Sequence, residues 1–181
     1  ESPIRKLAPF AEAAAKRGTK IYYLNIGQPD IETPPAVLDA VRHSDFKVLE
    51  YSHSAGNESY RRKLVQYYES VGVHVNHQQI IITTGGSEAI LFGFMACLDP
   101  GDEVIIPRPF WVSYTDMVQF AQGVPIYIDT TVESDYKITA EQLEKAISPK
   151  TKLFMFSSPN NPSGMIYSYD ELKALAEVFE R

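Results

Sequence analysis

The sequence is poor in the features that mark several protein classes. It has one cysteine, Cys97, so no internal disulfide can form, and this usage suits a reducing compartment. The formal net charge is −6 at pH 7, which gives no sign of a surface for nucleic acid or for an anionic membrane. The longest apolar run, residues 89–98, is far shorter than the roughly 20 residues that span a bilayer. These absences predict a cytoplasmic protein, and the length of 181 residues suggests one domain or slightly more.

The chain is organised around residues 80–98, where a β-branched run ends at two glycines and a long apolar helix begins. The run at 80–82 predicts a buried strand of the parallel kind. Gly85 and Gly86 then turn the chain, and Ser87 adds a hydroxyl donor at the helix start. Such a turn can cradle an anion, because glycine allows close approach and the first helical turn presents free N–H groups. A plain turn between strand and helix is the alternative interpretation.

The sequence also lacks the two common glycine-rich nucleotide motifs. Neither GxGxxG, which binds a dinucleotide, nor GxxxxGK[ST], which binds a nucleoside triphosphate, occurs in the chain. An anion bound at the glycine pair is therefore expected to belong to another kind of ligand.

The rest of the chain alternates strands with amphipathic helices. We predict further strands at residues 21–26, 103–106, 125–128 and 153–156. Helices are predicted before and between them, including one stopped by Gly18, one begun by Pro34 and Pro35, one with an apolar stripe over 60–71, one over 114–121, and two capped by Thr139 with Gln142 and by Ser168 with Glu171. Cys97 is expected to pack in the core. The alternation indicates right-handed βαβ units and a mostly parallel sheet with flanking helices.

Three unusual loops follow predicted strands. They are TTGGS at 83–87, PRPFW at 107–111 and SSPNNPSG at 157–164. The prolines of PRPFW are expected to end the strand before it, because they lack the N–H group that a ladder needs. Ligands of parallel α/β sheets bind at the carboxyl ends of strands, so we expect the three loops to face one rim.

These loops carry a resemblance to a known family. TTGGSEAI, then LDPGDEVIIPRPFWVSY, then SSPNNPSG, resemble the large domain of pyridoxal-phosphate-dependent aminotransferases of fold type I, class I/II, in the aspartate aminotransferase-like group. GQPD and Tyr51-x-x-x-x-Gly56 lie at the matching earlier places, so the resemblance covers essentially the whole chain. It implies an α/β/α sandwich, here incomplete, with residues 1–35 as an amino-terminal arm and small-domain segment and 36–181 as the first part of the large domain.

The resemblance also implies a set of cofactor contacts. Gly86 and Ser87 would hold the phosphate of pyridoxal 5′-phosphate, and Gly85 would permit its approach. Trp111 would stack on the pyridine ring, and Asn161 would donate to the phenolate oxygen of that ring. A core tryptophan and a two-proline turn are the plainer accounts of the last two residues.

Two earlier residues receive roles in the same way. Tyr51 would reach the phosphate of the neighbouring subunit in a homodimer, although His53 and Asn57 beside it stand where family members vary. Gly27, with Ile26 beside it, would lie near the substrate carboxylate. A simple turn glycine is the alternative for Gly27.

The implied reaction moves an amino group between an amino acid and a 2-oxo acid, with an aspartate-type or broad preference. In the family the Schiff-base lysine comes later than the position matched by Arg181, so we predict an amino-terminal portion that is inactive alone and contains no catalytic residue or metal ligand. The segment at 80–82 would pair with strands of the missing part, so it is expected to lack a neighbour and the chain to be marginally stable, rearranged or bound to a partner. A non-transaminating module such as a regulator's sensor domain, or a lyase or decarboxylase with the same cofactor, remains the alternative.

Overall fold

The computed structural model describes residues 5–24, 27 and 29–180, and these fall into two compact units. The first unit runs to Tyr51 and the second starts at Ser52. The predicted division into an arm, 1–35, and a domain, 36–181, concerns the organisation of the whole family fold and stays a prediction.

The first unit contains two helices, α1 at Ala8–Lys16 and α2 at Pro35–Arg42. Gly18 follows α1 with a φ of +88°, a backbone conformation that favours glycine, so the predicted stop is confirmed. Pro35 begins α2, as the fixed φ of proline at a first helical position allows. The predicted strand at 21–26 lies partly outside the described residues, and the part from 21 to 24 forms no strand.

Apart from the strand predicted at 80–82, the second unit has its helices and strands in the predicted order. Its elements are α3 at Glu58–Ser70, α4 at Gly86–Cys97, β1 at Glu103–Arg108, α5 at Ser113–Phe120, β2 at Val124–Asp129, α6 at Ala140–Ala146, β3 at Thr151–Phe154 and α7 at Tyr169–Phe179. Short 3₁₀ turns lie at His77–Gln79 and Val132–Ser134. The strand predicted at 153–156 thus begins two residues earlier than expected.

The three strands form one parallel sheet in the order β2-β1-β3. Side chains of β1 alternate between its two faces, because successive residues of a strand point to opposite sides. Val104 and Ile106 belong to one buried cluster, with residues from α4 and α5, whereas Ile105 belongs to another, with residues from α6 and α7. Helices therefore cover both faces, and the predicted fold class, a parallel α/β sheet with flanking helices, is confirmed.

Two helix starts were predicted from capping boxes, and both are present. The Thr139 hydroxyl accepts from the N–H of Gln142 at 3.2 Å, and the Gln142 side chain accepts from the N–H of Thr139 at 2.9 Å. Ser168 and Glu171 make the same reciprocal pair at the start of α7. These two interactions need only residues three positions apart, which is why the sequence alone identified them.

The prediction that the prolines end the first sheet strand at residue 106 is wrong. β1 continues through Pro107 to Arg108 and stays in register with β2. The main-chain groups of Glu103 and Ile105 bond to residues on the β3 side. Pro107 is two residues further along β1, so its main-chain groups point to the same side. Because β3 ends at Phe154, the missing N–H of Pro107 faces a position where no ladder partner is required.

The prediction of a buried strand at 80–82 is also wrong. The segment is extended but joins no sheet, and Ile81 is 66% exposed. The segment is held instead by a main-chain bond from the N–H of Ile82 to the carbonyl of Ala55, at 3.0 Å. The expectation that this segment lacks a strand neighbour is met within the described residues, and the absence of a neighbour explains why three β-branched residues do not form a strand.

Several predicted apolar faces are exposed. Cys97 was expected in the core but is exposed, as is Met95, because α4 is apolar on nearly all sides and packs through Phe94 and the following Leu98. Tyr67 on the stripe of α3 is exposed as well. The periodicity located these helices correctly, whereas it could not say which apolar faces meet another element.

Candidate functional site

Helix α4 runs antiparallel to the strands, so its first residue lies toward their carboxyl ends. A Cβ built on Gly123, just before β2, would lie 2.9 Å from Cδ1 of Leu98, just after α4. The end of α4 therefore lies at the amino edge of the sheet. Twelve helical residues rise about 18 Å, close to the length of a six-residue strand, so Gly86 is placed near the opposite edge.

The first turn of α4 presents main-chain donors that no described residue uses. The earliest helical bond runs from the N–H of Ala89 to the carbonyl of Gly85, at 3.4 Å. The N–H groups of Gly86, Ser87 and Glu88 donate to no other residue within 5–24, 27 and 29–180. Ser87 is exposed, and its hydroxyl likewise has no partner in that part of the chain. Four donors thus converge at the positive end of the helix dipole.

The two glycines at this turn differ in what the structure requires of each position. Gly85 has a φ of +85°, so a side chain there would be strained. Gly86 has an ordinary φ, and a Cβ built on it would meet no described atom within 4 Å. Among the described residues, neither backbone strain nor a neighbouring atom requires a glycine at 86. The open space above Gly86 would admit the close approach of a ligand.

Trp111 lies in the loop after β1 and is half-buried. Its ring meets Tyr114 edge-on, with the centroids 5.5 Å apart, and Tyr114 is buried in the cluster shared by α4 and α5. Ile90, one turn into α4, packs against the same cluster. The indole and the first half of α4 therefore lie on one side of the sheet. Tyr114 thus contacts the indole on one side, and part of the Trp111 side chain remains accessible.

The two asparagines after β3 are used differently. The Asn160 side chain accepts from the N–H and the hydroxyl of Ser163, at 3.1 and 2.8 Å, and so closes the loop on itself. Asn161 is exposed, and its side chain bonds to no other residue in the described ranges. Its own N–H donates to the hydroxyl of Ser157 at 3.3 Å. The loop is thus held through Asn160 and leaves the amide of Asn161 available to a ligand.

The far end of this loop is anchored in the core. The N–H of Tyr167 donates to the Ser158 hydroxyl at 3.1 Å, and its phenol oxygen accepts from the N–H of Ile138 at 3.0 Å. Burial raises the pKa of the Tyr167 phenol above its ordinary value. Tyr167 therefore stays neutral at physiological pH and holds the loop after β3 against the segment before α6.

Arg61 is a buried cation that the sequence reasoning missed. It is 6% exposed, and its guanidinium donates from Nε to the carbonyl of Gly56 at 3.2 Å and from Nη1 to the carbonyl of His77 at 2.7 Å. The turn ending at Gly56 is also bonded through Ala55 to Ile82, just before the TTGGS loop. The sequence carries little signal of this role. Arg61 and Arg62 stand side by side after Gly56, and helical periodicity does not predict which of them is buried.

Tyr51 and Gly27, two of the predicted site residues, belong to the first unit. Both are exposed. Ile26, predicted beside Gly27, lies outside the described residues. The assignments of these residues to a phosphate and to a substrate carboxylate stay predictions.

Two other kinds of feature are absent from residues 5–24, 27 and 29–180. No helix in these ranges combines the length and apolar character that crossing a membrane requires. No group of three or more histidine, cysteine, aspartate or glutamate side chains in the same ranges is arranged to hold a metal ion.

The chain is similar in sequence to a known family and to several of its members. Residues 19–181 match the family model for "Aminotransferase class I and II". An aspartate/prephenate aminotransferase of Nitrosomonas europaea is 39% identical to this chain. The match covers 99% of this chain and 46% of the relative. An aspartate aminotransferase of Geobacillus stearothermophilus is 39% identical over 89% of this chain and 42% of its own.

A solved structure gives the same picture. Aspartate aminotransferase from Thermus thermophilus with maleate superposes with a TM-score of 0.88 at 36% identity, covering 98% of this chain and 47% of that one. The chain therefore spans about half the length of the relatives it matches. With a family model matching from residue 19 to the last residue, and the fold and loop order agreeing, the chain belongs to the class I and II aminotransferases.

Proposed function

We propose that this chain supplies the phosphate cradle and one ring contact surface of a pyridoxal-phosphate-dependent aminotransferase. The observation that carries the proposal is the first turn of α4, where unused N–H groups and a glycine with open space above it lie on the Trp111 side of the sheet. A phosphate ester is the ligand that such donors favour. The residues present therefore fit the phosphate end of the cofactor.

Each residue has a definite task in this proposal. The N–H groups of Gly86 and Ser87, with the Ser87 hydroxyl, bind the phosphate, and Gly85 shapes the turn. Trp111 covers one face of the pyridine ring, a stacking contact of about 1 kcal/mol beyond its buried area. Asn161 donates to the ring oxygen. When bound, the pyridoxal ring accepts the electrons left by removal of a Cα proton from an amino acid.

We assign no lysine of this chain to the reaction, and the chain alone is expected to transfer no amino group. Homodimer formation with Tyr51 reaching the other subunit, the approach of a substrate carboxylate to Gly27, and a cytoplasmic location belong to the same proposal. The substrates proposed are an amino acid of the aspartate type and a 2-oxo acid. The names of the matched relatives support this preference, as does the maleate of the Thermus thermophilus structure, because maleate is a four-carbon dicarboxylate like aspartate.

The phosphate cradle can be tested by fluorescence, because Trp111 is the single tryptophan of the chain. The probe is 4′-deoxypyridoxine 5′-phosphate, which has the ring and the phosphate but no aldehyde to react with surface lysines. It is expected to quench Trp111 weakly but saturably, and Ser87→Asp is expected to abolish this by placing a negative charge at the phosphate position.

Ser59→Asp is the matched control, since Ser59 is the second residue of α3 as Ser87 is of α4, and both are exposed. This variant is expected to bind the probe as the unchanged chain does. Binding that survives Ser87→Asp, or no saturable binding by the unchanged chain, would overturn the assignment of the cradle.

A further inference from the structure

Glu88 is the side chain that shapes the loop before α4. Its Oε2 atom accepts from the N–H of Thr84 at 2.6 Å. Two other bonds close the same loop, from the Thr83 hydroxyl to the carbonyl of Gly85 at 3.0 Å and from the N–H of Gly85 to the carbonyl of Thr83 at 2.9 Å. Of these three bonds, only that of Glu88 connects the loop to the helix through a side chain. This bond therefore holds the loop in one orientation relative to the axis of α4.

We propose that Glu88 is a positioning residue of the phosphate cradle, acting through the main chain of Thr84, an inference that rests on the function proposed above. By holding Thr84 back against the first turn, Glu88 keeps the loop from folding over the N–H groups of Gly86 and Ser87. Gly85 supplies no side chain to cap these groups. Glu88 supplies a charge-assisted bond at this place, which is stronger than the two neutral bonds beside it.

The same carboxylate opposes the ligand through its charge. It lies in the first helical turn, beside the donors that would bind a dianion, and like charges at short range repel. Glu88 is thus expected to have two opposite effects on phosphate affinity, one through its acceptor oxygen and one through its charge. Two substitutions separate them, because glutamine keeps an acceptor oxygen and removes the charge, whereas alanine removes both.

The test measures the affinity of Glu88→Gln and Glu88→Ala for 4′-deoxypyridoxine 5′-phosphate at one pH and ionic strength. Glu88→Gln is expected to bind the probe several-fold more tightly than the unchanged chain, because one negative charge is gone and the bond to Thr84 is kept. Glu88→Ala is expected to bind about tenfold more weakly than Glu88→Gln, because both variants lack the charge and only glutamine keeps an acceptor for the N–H of Thr84. Equal affinities of these two variants would overturn the positioning role.

Two controls test whether the effect of Glu88 requires the phosphate group of the probe and the position of Glu88 in α4. Unphosphorylated 4′-deoxypyridoxine should show no gain with Glu88→Gln, since the repulsion acts on the phosphate; an equal gain would refute the charge effect. Glu141→Gln removes a carboxylate from the first turn of α6, which packs on the other face of the sheet, and should leave the affinity unchanged. If the unchanged chain binds no phosphorylated probe, the proposed function fails. If it binds the probe but Glu88→Gln and Glu88→Ala bind it equally well, only the present inference fails.

Discussion

Gly56 offers a test of how the unpaired segment at 80–82 is held. Its φ is +89°, and a Cβ built on it would lie 2.5 Å from both Cβ and Cγ1 of Ile82. The neighbouring carbonyl of Ala55 accepts the N–H of Ile82 at 3.0 Å. Gly56→Ala is therefore expected both to strain the turn and to push it away from Ile82.

The size of the effect follows from these contacts. A side chain in the left-handed region costs about 1–2 kcal/mol. Relief of the overlap with Ile82 by displacement costs roughly 1–3 kcal/mol, and the lost bond to Ala55 about 1 kcal/mol. Gly56→Ala is thus expected to lower the free energy of unfolding by about 3–6 kcal/mol.

Gly101 provides the matched control, because its φ is +91° and a Cβ built on it would meet no described atom within 4 Å. Gly101→Ala should cost only the conformational term, about 1–2 kcal/mol. Urea unfolding followed by Trp111 fluorescence and by circular dichroism compares the two variants. The midpoint of Gly56→Ala is expected to lie about 1–2 M urea below that of Gly101→Ala. Midpoints that coincide would show that the Gly56 turn does not contact Ile82, and the account of the segment would be refuted.

Two further predictions concern charged side chains. Arg61→Met should destabilise the second unit by about 3 kcal/mol in the same urea assay, since it leaves the carbonyls of Gly56 and His77 without their donor. An effect below about 1 kcal/mol would show that Arg61 does not hold these two carbonyls together. The Lys137 ammonium, with the N–H and hydroxyl of Ser168, lowers the pKa of Glu171 from 4.5 to about 2. Because the pKa is depressed on folding, this stabilisation is complete above pH 4.5 and is lost as the pH falls toward 2. Lys137→Gln should therefore lose less stability over that window than the unchanged chain, and an equal loss would show that the pair does not form.

The candidate site was predictable to the extent that it is local in the chain. The glycine pair and Ser87 stand next to each other, and the bonds that give Asn160 and Asn161 their separate tasks run within eight residues. Arg61 could not be predicted in this way. Its partners, Gly56 and His77, lie on opposite sides of it in the chain, and nothing in the sequence says that both turn their carbonyls toward one guanidinium.

The strand assignments show the same distinction. Sequence patterns located the strands around Ile105, Ile126 and Leu153 because their apolar character fits burial on both faces, but residues 80–82 have the same character and join no sheet. Pro107 shows the converse, since it continues a strand although proline lacks a ladder donor. In both cases the outcome depends on whether a neighbouring strand is present on one particular side.

The sequence by itself determined the order of the helices and of the three sheet strands, two of the helix caps, and the succession of motifs that marks the family. These properties come from interactions between residues a few positions apart and from apolar periodicity. The tertiary structure alone decided which apolar faces are covered, which extended segments pair, and how Arg61 and Glu88 hold the loops around the start of α4. Those outcomes depend on partners far away in the chain or on the direction of a backbone group, and neither is written in local sequence.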